Sequence, residues 1–158
     1  MRSAAVTATR ERLERLAAAR LPWDQFAEEA LELVGHGIGY DAGVVAPMDQ
    51  TGLVTGSIKR GLPDDSYPRF ARYEYVTPGP DTFTVLARRP NPVAITADEN
   101  DGDPRRNPRY DEFLAPDLSI KHEVRAAAVV DGTLVGGISL FRTTGASAFP
   151  TGCCGVPA

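Results

Sequence analysis

The apolar residues of this chain follow two rhythms, one helical and one alternating, and they change over near residue 40. Residues 9–20 carry Leu13, Leu16 and Ala17 at helical spacing, with Glu11 and Arg15 set four apart as a favourable ion pair. Pro22 stands where a first helical residue belongs, because its missing N–H would be an orphan donor there anyway. From it runs a continuous apolar stripe, Trp23, Phe26, Ala27, Ala30, Leu31 and Val34, over three turns. Gly35, Gly37 and Gly39 are expected to end that second helix.

Alternation takes over beyond the glycines. Two β-rich runs, 42–48 and 53–59, flank the turn Asp49-Gln50-Thr51-Gly52 and predict a hairpin. "DDSYPRFARYEYV" and "DTFTVLARR", separated by "TPGP", read as short helices or irregular cover, and "NPVAIT" as a short strand. In "RNPRYDEFLAP", Asn107 is placed as an N-cap and Pro108 as the first helical residue, with Tyr110, Phe113 and Leu114 on one side. Asp131-Gly132 between two β-rich runs in "HEVRAAAVVDGTLVGGISLFR" is a strong two-residue hairpin signal. Hairpins with helices before and between them predict an α+β fold built on a central antiparallel sheet. No internal repeat or low-complexity segment interrupts the pattern.

Length and composition narrow this further. One domain is the natural count for 158 residues. A chain of this length buries roughly 68–70% of its unfolded surface, so its core needs no metal or disulfide staple. A net charge of -4 gives no global attraction to DNA or to an anionic membrane. No stretch approaches the roughly 18 apolar residues of a membrane span. The Arg- and Ala-rich start lacks the apolar core of a secretory signal, so a cytoplasmic location is expected.

At this point the residues resemble a family. "NPRYDEFLAPDLSIKHEVRAAAVVDGTLVGGISLFR", following "PDTFTVLARRPNPVAI", is similar to the GAF-like N-terminal sensor domain of actinobacterial LuxR-type transcriptional regulators. The letters that carry the likeness are Asn107-Pro108-Arg109-Tyr110, Leu114-Ala115-Pro116, Glu123-Val124-Arg125-Ala126 and Leu140-Phe141-Arg142, and it covers about residues 10–150. The resemblance implies a GAF/PAS-like antiparallel sheet, with N-terminal helices on one face and irregular helical cover enclosing a small-molecule pocket on the other. It also implies a homodimer formed through the N-terminal helix, with Leu13 and Leu16 as the candidate contacts. Residues 1–8 are expected to be disordered, 9–150 to form the sensor domain, and 151–158 to be an out-of-pattern tail. After Phe149-Pro150 the family continues with an acidic residue and a Leu-rich helix, which "TGCCGVPA" does not. The expectation is therefore a sensor truncated before its DNA-binding domain, making no DNA contact of its own.

"GHGIGYDAG" has the order helix, glycines, strand, the reverse of a dinucleotide fingerprint, so it reads as a helix C-cap, with His36 beside the negative helix end. "DENDGD" fails as a calcium loop: aligning Gly102 to loop position six puts Ala97 at position one and Pro108 at position twelve. Arg105, Arg106 and Arg109 just beyond it either balance its charge or bind an anion. His122 and Glu123 are neighbours on a strand and so point to opposite faces, and no Ser/His/Asp set can be assembled from two histidines.

The aromatic group of the middle segment serves either as core or as a pocket wall, and the residues alone leave both open. By the resemblance, the candidate ligand pocket comprises Tyr75, Phe83, Leu86, Tyr110, Phe113 and His122. Adjacent Cys153 and Cys154 supply too few ligands for zinc, and a bridge between neighbours would be strained. No cofactor or metal is expected. The reading is a binding module with an unidentified small-molecule ligand. A GAF-like enzyme such as a methionine sulfoxide reductase is disfavoured, since no cysteine precedes residue 153. A dimerising remnant without ligand is the remaining alternative.

Overall fold

The computed structural model describes residues 2–143 and 145–150, so Cys153 and Cys154 lie outside the described residues. The chain divides into two compact units, one ending at Tyr40 and the other beginning at Asp41.

The first unit is a helix pair, α1 (Arg2–Ala18) and α2 (Trp23–Gly37). Residues 2–8, expected to be disordered, form the first turns of α1, which corrects that expectation. Pro22 is extended and precedes the helix, so α2 starts one residue later, at Trp23. Its buried residues, Ala27, Ala30, Leu31 and Val34, are the predicted stripe, although Trp23 at its head is exposed. The glycines do end it: the Ile38 and Gly39 N–H groups both bond the Val34 carbonyl, and Gly39 takes a positive φ of 79° that favours glycine. A Cβ at Gly37 would collide with the Thr9 side chain of α1, so the pair approaches closely where the side chain is smallest. The His36 ring nitrogen Nδ1 sits 2.9 Å from the Glu32 carbonyl in the last turn.

The second unit is a five-stranded antiparallel sheet with short helical segments, in the order β2-β1-β5-β4-β3. The strands are β1 (Ala42–Pro47), β2 (Ile58–Arg60), β3 (Val93–Ile95), β4 (Ile120–Val130) and β5 (Thr133–Thr143). The α+β expectation is met. Asp131 and Gly132 join β4 to β5 as a two-residue turn with positive φ at both positions, 48° and 76°, the backbone twist a tight hairpin requires. The first hairpin is looser than the pattern implied. β1 pairs with β2 through Val44–Lys59, but only Met48–Val54 bridges the segment between them. Asp49 explains the turn, its carboxylate accepting from the Thr51 and Leu53 N–H groups at 2.8 and 3.1 Å.

The middle of the chain is helical in short pieces: α3 (Tyr67–Ala71), a π-helical stretch at Arg72–Val76, and α4 (Phe83–Leu86). A second π-helical stretch at Tyr110–Leu114 leads into α5 (Ala115–Leu118). The helical turns begin at Pro108, and Asn107 caps them as predicted, its side-chain oxygen accepting from the Arg109 N–H at 3.0 Å. Tyr73, Tyr110, Phe113, Leu114, Ile120 and Phe141 form one apolar cluster, in which Phe70 meets Phe113 edge to face at 5.0 Å. Met48, Phe83, Leu86, Ala94 and Ala127 form a second.

Candidate functional site: a cavity floored by a buried arginine

Strand pairing decides which side chains meet. In β4, Glu123, Arg125 and Ala127 share one face by alternation, and they stand opposite Phe141, Ser139 and Gly137 of β5. Ser139 is in turn opposite Val44 of β1, and Gly137 opposite Ala46. These residues form a strip across three strands, polar at Glu123, Arg125 and Ser139 and apolar toward Gly137, Ala127, Val44 and Ala46. Gly137 has a specific use, since any Cβ there would occupy the space of the Phe83 ring. The ring can therefore lie close against the sheet and cover the Arg125 guanidinium at 3.9 Å, a cation–π contact.

Above this strip lies a cavity of about 70 Å³. Its floor includes Val44, Ala46, Arg125 and Ser139, and its cover includes Phe70, Glu74, Tyr75 and Phe83. The π-helical stretch, closed by the Thr77 N–H on the Arg72 carbonyl, sends Tyr73 into the core while Glu74 and Tyr75 both reach the cavity wall. The Tyr75 hydroxyl donates to the Gly52 carbonyl and accepts from the Val54 N–H, each at 3.0 Å, which ties the first hairpin to the cover. Burial pushes that phenol's pKa up.

Beneath the cavity runs a chain of buried charges. Arg125 donates to the Glu74 carboxylate at 2.9 Å, to the Asp81 carbonyl at 2.7 Å and to Ser139 Oγ at 3.2 Å. Glu74 also accepts from the Phe83 N–H at 2.6 Å, which fixes the start of α4. Deeper in the unit, Arg109 lies between Asp81 and Glu123, at 2.8 and 2.7 Å, and all three are essentially removed from solvent. Thr96 Oγ1 is 3.0 Å from Asp81 and 2.9 Å from Glu123, and Asn107 donates to Asp81 at 3.1 Å. Burial alone would raise the Asp81 pKa, but the Arg109 guanidinium outweighs it and holds the carboxyl below its usual range. Burial would likewise lower the Arg109 pKa, but Glu123 and Asp81 drive it upward instead. Glu123 Oε1 is buried without a hydrogen-bond partner, 3.5 Å from Arg125 Nε.

The structure divides the residues singled out from sequence. Tyr75 and Phe83 border the cavity. Leu86 packs with Met48 and Ala94, and Tyr110 and Phe113 with Phe141, so these three belong to the apolar clusters and not to the cavity wall. His122 pairs with Arg142 on the sheet face opposite Arg125, which removes it from the pocket.

The three arginines read as balancing the acidic loop or binding an anion take separate places, and Arg106 does pair with that loop. Arg109 is buried and neutralised by two carboxylates, Arg106 pairs with Asp101 at 2.7 Å, and Arg105 is exposed. Leu13 is half-buried, and Leu16 is buried beside the cleft that also touches Leu33 of α2. Sequence reasoning missed Glu74, Asp81, Thr96, Arg125 and Ser139. The available signal was Glu123-x-Arg125, two charges placed on one face of a strand whose later residues, Ala126–Val130, are all apolar. Among the described residues, no group of three or more His, Cys, Asp or Glu side chains is gathered where a metal ion could be held. No described helix is long and apolar enough to cross a membrane.

Comparison with known proteins adds the fold. No protein-family model matches the chain, and no curated protein matches it. Among solved structures, the crystal structure of the VqsR LBD domain from Pseudomonas aeruginosa is similar, with a TM-score of 0.50 and 17% sequence identity. The match covers 90% of this chain and 80% of that one. At this identity the likeness concerns the fold.

Proposed function

We propose that this chain is a small-molecule-sensing domain of the GAF-like kind that stands at the N-terminus of LuxR-type transcriptional regulators, and that it acts in the cytoplasm. In this reading the ligand enters the cavity between the sheet and the α3–α4 cover and is bound without chemical change. The observation that carries it is the cavity itself: a partly open, mainly apolar space with a buried arginine and serine in its floor. Concave apolar sites with a few placed polar groups are how proteins hold small molecules. The fold likeness to a domain solved as an LBD, that is, a ligand-binding domain, supports the same reading.

Occupancy would be relayed through the cover. Tyr75 and Glu74 touch the cavity, and their bonds reach the first hairpin and the start of α4. Self-association through α1 belongs to the proposal as well, with Leu13 as its more exposed contact. The test is a metabolite screen by thermal shift, since a ligand that binds only the native state raises its melting temperature. Val44→Phe, which fills the cavity from β1, should abolish every such shift while the protein stays folded. A library that shifts neither protein, or shifts both equally, would overturn the proposal.

A further inference from the structure

Resting on the reading of the cavity as a ligand site, we infer that its ligand is a small uncharged molecule bearing a carbonyl-type acceptor, such as an amide, ester or ketone, held by Ser139 and Arg125. The inference comes from counting which hydrogen-bonding groups of the wall are already used. Ser139 is 2% exposed, and its Oγ accepts from Arg125 Nε at 3.2 Å. Among the described residues its own O–H has no acceptor. A guanidinium has about five N–H bonds, and Arg125 commits one each to Ser139, the Asp81 carbonyl and Glu74. Donors are therefore left over in the floor.

Of the acceptors in the wall, those of Glu74, Tyr75 and Ser66 are engaged within the fold, and the Ser57 and Tyr67 hydroxyls lie at its exposed rim. Glu74 takes the Phe83 N–H on one oxygen and Arg125 on the other. The Tyr75 hydroxyl both donates and accepts within the fold, and the Ser66 hydroxyl donates to the Pro63 carbonyl at 2.7 Å. A ligand that complements this wall brings an acceptor, and a carbonyl oxygen with two lone pairs can take both a serine and an arginine donor.

Charge decides between a neutral and an anionic acceptor. The buried cluster sets the carboxylates of Glu74, Asp81 and Glu123 against the guanidiniums of Arg109 and Arg125, leaving one negative charge in excess. A ligand carboxylate would add like charge in a poorly screened site. Lys59, the other cation of the wall, is turned to the Pro63 and Asp64 carbonyls at 3.2 and 3.1 Å and to the Asp64 carboxylate at 3.4 Å. An ammonium would supply only donors and would compete with Arg125 for Glu74. Size sets the last limit: at roughly 10–15 Å³ for each water-sized group, about 70 Å³ accommodates about five to seven non-hydrogen atoms. The rest of the wall, with Val44, Ala46, Phe70 and Phe83, suits a hydrocarbon body.

The experiment is an NMR titration of the full chain with pentanamide, pentanoate, pentylamine and toluene at millimolar concentration. Pentanamide should bind about tenfold more tightly than either charged analogue, one log unit being 1.4 kcal/mol. Ser139→Ala should weaken it about three- to tenfold while leaving toluene binding unchanged. Tighter binding of pentanoate or pentylamine would overturn the neutral-acceptor class and leave the cavity reading intact. Equal weakening of pentanamide and toluene by Ser139→Ala would overturn the role of the hydroxyl. If none of the four binds but other molecules bind in a manner abolished by Val44→Phe, the class is wrong and the site is right. If no molecule of any kind binds, both fall.

Discussion

Arg109 and Arg125 are both all but sealed from solvent, at 2% and 4% exposure, yet they sit in different electrostatic company. Arg109 faces two carboxylates, with Thr96 and Asn107 completing the shell around Asp81. Arg125 bonds one carboxylate, Glu74, with Glu123 farther off at 3.5 Å, and its other partners are a serine, a backbone carbonyl and an aromatic ring beside a cavity. Burial does not separate a structural charge from a binding one. Saturation does: a guanidinium whose donors are spent on carboxylates holds the fold together, and one with donors in reserve beside open space is available to a ligand.

The hardest test of this contrast removes the saturated arginine. Arg109→Met strands Asp81 and Glu123 in the interior, and breaking a buried pair in this way costs about 3–5 kcal/mol. Urea unfolding should show that loss, and the triple change Arg109→Met, Asp81→Asn, Glu123→Gln should recover much of it. A loss under about 1 kcal/mol would mean that the cluster is hydrated and that the contrast fails.

Arg125→Met should cost less, about 1–3 kcal/mol, because Glu74 keeps its bond to the Phe83 N–H and borders the cavity. Its larger consequence should be on ligand binding, measured by the thermal-shift screen. Equal destabilisation by the two arginine variants would erase the distinction.

The acid limb of stability sharpens it further. Asp81 has a folded pKa below its ordinary value, so its stabilisation is complete above about pH 3.9 and is lost as pH falls through the lower folded value. Asp81→Asn should lower the melting temperature at neutral pH and flatten its decline below about pH 4.

The smallest expected effect belongs to His122 on the opposite face, whose pKa is lowered by burial, then by Lys121. The fold favours its neutral form, so this stability is complete above about pH 6.5 and falls away as pH drops toward the lower folded value. His122→Asn should remove a shallow slope in melting temperature below about pH 6.5, with ligand binding unaltered.

Much of this architecture is legible in the sequence, because it is encoded locally. Asp131-Gly132 can adopt positive φ cheaply, so the β4–β5 hairpin follows from two letters. Asn107 caps its helix through a bond only two residues long, and the α2 stripe is a single-helix property. The start of α1 was misplaced because polar and alanine-rich turns carry no apolar rhythm. The candidate site was half legible. Tyr75 and Phe83 are aromatic and invite attention, but so are Tyr110 and Phe113, which the fold uses as core.

What the sequence determined by itself is the α+β alternation, the hairpin turn and the pairing of Glu123 with Arg125 on one strand face. Tertiary structure alone decided that this face turns inward and that Asp81 and Glu123 converge on Arg109. It also decided that Ser139, fourteen residues from Arg125, lies beside it. The physical reason is that charge compensation in an interior is a non-local condition. A buried guanidinium needs carboxylates and donors to be satisfied in three dimensions, and here they come from segments 14 and 28 residues from Arg109 in sequence. No periodicity in the chain records which of them will meet, or which will be left facing an empty space.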